Sequence, residues 1–349
     1  MITEDMSLKE IVHQLKQEKH PYRICPMDMT AVDKKGDEQI KDGIGSGGLS
    51  DLPLKEINRA EPDWNWRSML DGLRYLEEKL QKEPVFYSVY PKAQADRNGK
   101  AVVELAAFLP DNCNEKDQGQ KEDRPVRRAK FVLICPGGGY KNVCTAAEGY
   151  PLAKALNQMG YAAFILHYRT GKDAAVPNPQ EDAAMALKFI LDQESLFQID
   201  PDQYAIMGFS SGGHLAASMC TLAAGFPKYG LPRPRFAMLG YPVITMGAYA
   251  HTGSRENLLG NDPSRALIEQ YSIEKQVDPQ FPAVFLWQCE ADPKVPIQNS
   301  RLLEEALKQQ KIPNRYQVYS GSFHGWGLGE ETEAQGWLLE AVSFWESLE

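Results

Sequence analysis

The sequence predicts an α/β protein built on a doubly wound, mostly parallel sheet, with an N-terminal helical extension in front of it. Three observations carry that expectation. From Val85 onward, apolar strand-like runs alternate with amphipathic helical segments, the pattern of successive crossovers in one sheet. Runs such as Phe131-Val132-Leu133-Ile134 and Ala163-Phe164-Ile165-Leu166 are continuously apolar rather than alternating, as parallel strands buried on both faces must be. Between Tyr204-Ala205-Ile206-Met207 and the small-residue stretch Leu215-Ala216-Ala217 stands Gly208-Phe209-Ser210-Ser211-Gly212, a G-x-S-x-G turn between a strand and a helix.

Taken in order, the chain divides at about residue 84. In the extension (1–84), Ser7 to Glu18 reads as a short helix with Leu8, Ile11, Val12 and Leu15 on one face. Asn65 to Glu83 reads as a longer one carrying Trp66, Met69, Leu70, Leu73, Leu76 and Leu80 at helical spacing. The glycine run Gly43-Ile44-Gly45-Ser46-Gly47-Gly48 follows no apolar strand and lacks the Lys-Ser/Thr ending of a phosphate loop, so it is read as a connector. A lid, a dimer contact and a packing layer are the roles open to the extension.

In the second unit (85–349), Val85–Tyr90 and Ala101–Leu109 open as a meander. Core strands are expected at Phe131–Cys135, Ala162–Tyr168, Tyr204–Met207, Phe236–Leu239, Ala283–Gln288 and Tyr316–Tyr319. Helices are expected at Tyr150–Met159, Gln180–Asp192, Gly213–Ala224, Ser300–Gln310 and Glu333–Leu348. The charge-dense stretch Asp111 to Arg128 is read as a loop.

Bulk properties narrow the function. A net charge of -9 and a pI near 5.4 argue against a nucleic-acid partner and against an anionic membrane surface. The opening Met1-Ile2-Thr3-Glu4-Asp5 is acidic and leads into no apolar h-region, and no run of ~18 apolar residues follows, so a cytoplasmic location is the expectation. Six scattered cysteines without C-x-x-C spacing read as reduced thiols, and no Cys/His cluster has metal-ligand spacing. Neither metal nor cofactor is implied.

A serine hydroxyl needs a base within hydrogen-bond reach, a carboxylate to orient that base, and donors for the developing oxyanion. Of the six histidines, His251 and His324 follow the serine turn at a distance that lets a separate loop return to it, and only His324 also follows an acid loop. That acid loop, Cys289-Glu290-Ala291-Asp292-Pro293, sits at the end of an apolar strand, and Ser320-Gly321-Ser322-Phe323-His324 ends the next. Ser210, Asp292 and His324 therefore fall at the carboxyl edge of the sheet, where ligands bind in this architecture. Glu290 stays open as the competing acid. The loop Pro136-Gly137-Gly138-Gly139-Tyr140 follows an earlier core strand, so the amides of Gly138, Gly139 and Ser211 are the candidate oxyanion donors. Tyr140, His214 and Trp326 are candidate pocket residues. Arg169 and Asp182 are read as an ion pair or helix-terminal contact that fixes loops beneath the site.

With these residues in place, the chain resembles an α/β hydrolase of the acetyl-esterase type, in its acetylxylan-esterase-like branch. The matching text is Cys135 to Tyr140, Glu148-Gly149, Leu166 to Arg169, Gly208 to Ala216, Ser254 to Gly260, Asp292 to Pro296 and His324 to Leu328. It departs at Pro136, where relatives of the hormone-sensitive lipase carry histidine, and at Gln288-Cys289, where related sequences often carry His-Thr. The resemblance implies a serine carboxylesterase acting on short acyl esters, acetylated sugars or xylo-oligosaccharides among them. An arylformamidase-like amide hydrolase on the same triad and a non-catalytic binding protein on the same fold are the alternatives. The partner in either enzyme reading is a small molecule, and a homo-oligomer is open through the extension.

Overall fold

The computed structural model describes residues 1–24, 49–95, 99–111 and 128–348. The Gly43–Gly48 run and most of the Asp111–Arg128 stretch lie outside them. One eight-stranded sheet carries the chain: β1 (Phe86–Ser88), β2 (Glu104–Phe108), β3 (Ala129–Cys135), β4 (Ala162–His167), β5 (Ile199–Phe209), β6 (Phe236–Gly240), β7 (Ala283–Cys289) and β8 (Asn314–Tyr319), in the order β1-β2-β4-β3-β5-β6-β7-β8. The pairs β1–β2 and β2–β4 are antiparallel and every later pair is parallel. The meander and the six core strands thus lie where the sequence places them, with ends shifted by a few residues.

Successive side chains on the central strands enter different cores. Phe131, Leu133 and Cys135 of β3 join one cluster with the helices Asn178–Asp192, Ser210–Met219 and Gln298–Gln309. Val132 and Ile134 join another with Trp66–Lys82, Tyr150–Gln158 and Trp337–Glu346. This alternation is the period-2 consequence of the pleat, and burial on both faces is why the strands read as unbroken apolar runs.

The N-terminal residues belong to the second face. Ile2, Leu8, Ile11, Leu54 and Ile57 are fully buried within that cluster. The first helix spans only Leu8–Gln14, shorter than its periodic pattern. It begins where Ser7 and Glu10 form a reciprocal cap, Ser7 N–H donating to Glu10 Oε2 at 2.7 Å and Glu10 N–H to Ser7 Oγ at 3.3 Å. The helix Trp66–Lys82 starts on Asn65, whose Oδ1 accepts from the amides of Arg67 and Ser68 and whose Nδ2 donates to Glu330 O.

Two helices between β6 and β7, Thr252–Leu259 and Arg265–Tyr271, were not legible in the sequence. Thr252–Leu259 carries too few apolar residues to set a period, Arg265–Tyr271 is only seven residues long, and the two start on polar caps, His251 and Ser264. No helix among the described residues is long and apolar enough to cross a membrane.

Candidate active site

Ser210 sits at the end of β5 with φ +52°, a left-handed conformation that costs a non-glycine residue strain. The turn survives because its flanks carry no Cβ. A Cβ at Gly208 would lie 2.2 Å from Gly212 O, and one at Gly212 would lie 2.1 Å from Cys135 O. A side chain at Gly208 would push β5 away from the Ser210–Met219 helix, and one at Gly212 would push that helix away from the end of β3.

The strand ends supply the partners. Ser210 Oγ and His324 Nε2 are 2.9 Å apart, and His324 Nδ1 lies 2.9 Å from Asp292 Oδ2. Asp292 Oδ1 accepts the backbone amides of Lys294 and Val295, both at 2.9 Å. Its Oδ2 also accepts from Gln288 Nε2 at 3.1 Å. Gln288 is itself held, accepting from Ser300 Oγ at 2.6 Å and donating to Val295 O at 2.6 Å. Gln288 therefore orients the carboxylate from β7, and Cys289 beside it accepts from Phe323 N–H and donates to Phe323 O. Glu290 is exposed and makes no contact with His324 among the described residues.

The glycine loop after β3 closes the other side. Gly138 has φ +130°, and a Cβ there would lie 2.2 Å from Asn142 Oδ1. Gly138 O accepts from Lys141 and Asn142, and Asn257 Nδ2 donates to Gly139 O. These contacts hold the loop by its carbonyls, and among the described residues the Gly138 and Gly139 amides, in the same cleft as Ser210, donate to no partner. Ser211 Oγ accepts the Tyr140 amide at 3.2 Å, which occupies that hydroxyl in holding the loop.

Together these groups line a cleft of about 310 Å³ that contains Gly138, Gly139, Ser210 and His324. Tyr140, His214 and Trp326, the candidate pocket residues of the sequence, do not line this cleft. Tyr140 and His214 are fully buried behind the loop, where Tyr140 OH and His214 Nδ1 meet at 2.8 Å and His214 Nε2 lies 2.8 Å from Tyr271 O. A carbonyl only accepts, so Nε2 carries the proton and Nδ1 takes the tyrosine hydroxyl. Trp326 packs edge-on against Phe323.

The walls include groups to which the sequence reading gave no role. Glu148 is buried and accepts the Gly137 amide at 2.6 Å on Oε2 and Tyr241 OH at 2.8 Å on Oε1. Tyr241 OH in turn accepts the Gly327 amide at 2.9 Å, and its ring packs 4.7 Å from the His324 ring. One carboxyl thus ties the glycine loop to the histidine loop, and burial raises its pKa against the opposing Gly137 hydrogen bond. An acid set among Thr145, Ala146 and Ala147 was the available signal for it.

From the N-terminal segment, Asp63 Oδ1 accepts the His324 amide at 3.2 Å, and Asp63 Oδ2 lies 2.6 Å from Lys294 Nζ. Glu61 Oε1 is 2.9 Å from the same ammonium. Burial works against the Lys294 charge, but these two carboxylates outweigh it and lift its pKa to about 12. Farther below, Arg169 and Asp182 form a buried pair at 2.8 Å that also takes Tyr90 OH, and Tyr168 OH donates to Pro136 O at 2.6 Å. That pair secures the loop after β4, and it touches nothing in the cleft. Among the described residues no three His, Cys, Asp or Glu side chains gather as a metal set.

Burial pushes two histidines, His214 and His167, down to about 4 from an ordinary 6.5. Their folded values lie below the unfolded one, so the stability tied to their neutral forms is complete above pH 6.5. It is lost as pH falls towards 4, on the order of 3 kcal/mol for each. Glu148 has the opposite sign, because its raised pKa makes its contribution decline as pH rises past 4.5. The unfolding midpoint is therefore expected to fall between pH 6.5 and 4, with a shallower fall in His214→Gln. Thermal melts across that range check this, and an identical slope in both proteins would contradict it.

Sheet order, strained serine turn and glycine loop define the chain as an α/β hydrolase. Its sequence is related to acetylxylan-esterase-like proteins, and the BD-FAE family model matches residues 120–226. It is 30% identical over 254 residues to an acetylxylan esterase of Xylanibacter ruminicola, covering 71% of this chain and 48% of that protein. It is 37% identical over 215 residues to endo-1,4-beta-xylanase B of Butyrivibrio fibrisolvens, covering 59% of this chain and 34% of that one. The chain thus spans a third to a half of the length of these curated relatives. Among solved structures, an acetyl ester-xyloside bifunctional hydrolase from Caldicellulosiruptor lactoaceticus superposes with a TM-score of 0.64 at 27% identity, over 75% of this chain and 96% of that one.

Proposed function

We propose that this chain is a serine carboxylesterase that hydrolyses short acyl esters, with acetylated sugars or xylo-oligosaccharides as the physiological class. The observation that carries the reading is the unbroken relay from Ser210 through His324 to Asp292, at 2.9 Å and 2.9 Å, opening into a cleft beside uncommitted glycine amides.

In this reading His324 Nε2 takes the Ser210 proton as Oγ attacks the ester carbonyl. The amides of Gly138, Gly139 and Ser211 hold the oxyanion, and His324 then protonates the departing alcohol. Water, activated by the same histidine, releases the acid and restores Ser210. Asp292 keeps Nδ1 protonated throughout, so that Nε2 is free to accept. The likeness to an acetylxylan esterase and to an acetyl ester-xyloside bifunctional hydrolase supports an acetyl group on a sugar alcohol.

The test is a fluorophosphonate label followed by an ester panel. Labelling at Ser210 is expected, with turnover falling from acetyl to octanoyl esters and with acetylated xylo-oligosaccharides preferred over feruloyl esters. Absence of label on the folded protein, or faster turnover of formyl-aryl amides than of acetyl esters, would contradict the proposal.

A further inference from the structure

The cleft has one wall that the catalytic relay does not use, and it comes from the N-terminal segment. Glu61, Asp63 and Trp64 stand beside the histidine loop. A Cβ built on Gly325 would meet Asp63 O at 3.2 Å and Trp64 Cδ1 at 3.7 Å, so this wall lies against the residue next to His324. The wall is fixed in place. Asp63 holds the His324 amide, Lys294 is gripped by both Glu61 and Asp63, and Trp64 is half-buried against the core.

Position on the histidine side has a chemical meaning. In acyl transfer the group that receives the proton from His324 Nε2 is the departing alcohol, so the alcohol must lie within hydrogen-bond reach of that nitrogen. A wall of the cleft beside His324 therefore borders the space that the alcohol half of the ester must occupy.

We infer that Glu61–Trp64 form the alcohol subsite of the cleft, with Trp64 as the apolar platform for the flat face of a cyclic polyol such as a pyranoside. The inference rests on the esterase reading above and assigns a substrate half to a segment outside the strand–helix repeat. The surroundings select that class. The cleft that Trp64 lines also holds the polar side chains of Glu61, Lys294, Lys141 and Asn142. An alkyl alcohol would strip water from these groups and return no hydrogen bonds. A sugar ring presents C–H groups on its face, which suit an indole, and hydroxyls around its edge, which suit carboxylate, ammonium and amide.

The experiment compares two acetyl esters that differ only in the alcohol, a mono-O-acetylated methyl β-xyloside and ethyl acetate, in the wild type, Trp64→Leu and Trp64→Phe. Leucine keeps apolar bulk against the core and removes the aromatic face, whereas phenylalanine keeps the face. The ratio of kcat/KM on the glycoside to that on ethyl acetate is expected to fall about tenfold or more in Trp64→Leu, chiefly through KM, and to recover substantially in Trp64→Phe. An unchanged ratio would overturn the subsite. An equal loss on both esters would also overturn it, since Trp64 would then act through the histidine loop.

A second readout does not need turnover. Methyl β-xyloside binding to Ser210→Ala, measured by calorimetry, is expected to weaken by about the same factor when Trp64→Leu is added. If the wild type cleaves neither ester, the esterase reading fails. The binding comparison still decides the subsite, because binding that ignores Trp64 would overturn it.

Discussion

Replacing Ser210 with alanine is expected to lower kcat on an acetyl ester by about 10⁴- to 10⁶-fold while leaving KM within a few-fold of wild type. The residue sits in a conformation with φ +52°, imposed by the approach of Gly208 and Gly212 to their neighbours, and alanine can occupy the same backbone. The fold should therefore survive, and the loss should be chemical. In the proposed reading, residual turnover would come from the glycine-loop amides, which would still polarise a bound carbonyl. Ser211→Ala is a useful contrast. The Ser211 amide survives that change, and only the hydroxyl that accepts from Tyr140 N–H is lost. Single-turnover and steady-state hydrolysis of p-nitrophenyl acetate by the two proteins separates the roles. Equal activity of Ser210→Ala and the wild type would end the assignment of Ser210 as nucleophile.

The second large effect is expected from Asp292→Asn, and its size follows from the hydrogen bonds around that carboxylate. Oδ1 accepts two backbone amides, so the surviving oxygen of asparagine must stay there. The new NH₂ group must then take the place of Oδ2, facing both His324 Nδ1 and Gln288 Nε2. A donor opposite Nδ1 selects the imidazole tautomer with its proton on Nε2, pointing at Ser210, and that tautomer cannot act as the base. A loss of about 10⁴-fold in kcat is expected, of the order seen when the equivalent change is made in other serine triads. The donor–donor clash with Gln288 adds a structural signature, because Asp292→Asn should be less stable than its conservative size suggests. Nitrogen NMR of the imidazole reports the tautomer directly. An unaltered tautomer together with a full loss of activity would contradict this account.

Both effects fall on residues that could be found without coordinates, and the reason is steric as much as chemical. A strand that turns at once into a helix needs glycines on both sides of the serine, so the turn carries its own signature. The acid and the histidine are readable because each terminates an apolar strand and because their order along the chain is constrained by sheet topology. Residues whose role depends on distant approach left no such trace. Asp63 meets the His324 amide across 261 residues of sequence, and nothing in Glu61-Pro62-Asp63-Trp64 marks it as part of the cleft. Glu148 lies 11 residues from Gly137, yet its use as a tie between two loops requires Tyr241 and Gly327 to arrive from elsewhere. Tyr140, His214 and Trp326 failed as pocket residues for the converse reason. Nearness in sequence to the serine turn and the histidine says nothing about which way a ring faces, and Tyr140 and His214 are spent on each other.

The bridge from Asp63 to Lys294 and His324 also bears on how the protein matures. During synthesis residues 61–63 leave the ribosome long before the acid and histidine loops exist, and the sheet between them can assemble in the meantime. Catalytic competence would then appear only at the last docking event, when the late loops reach an early segment that has been waiting in place. Hydrolysis would serve as a readout of complete folding, and a nascent chain with most of its sheet formed would still be silent towards esters.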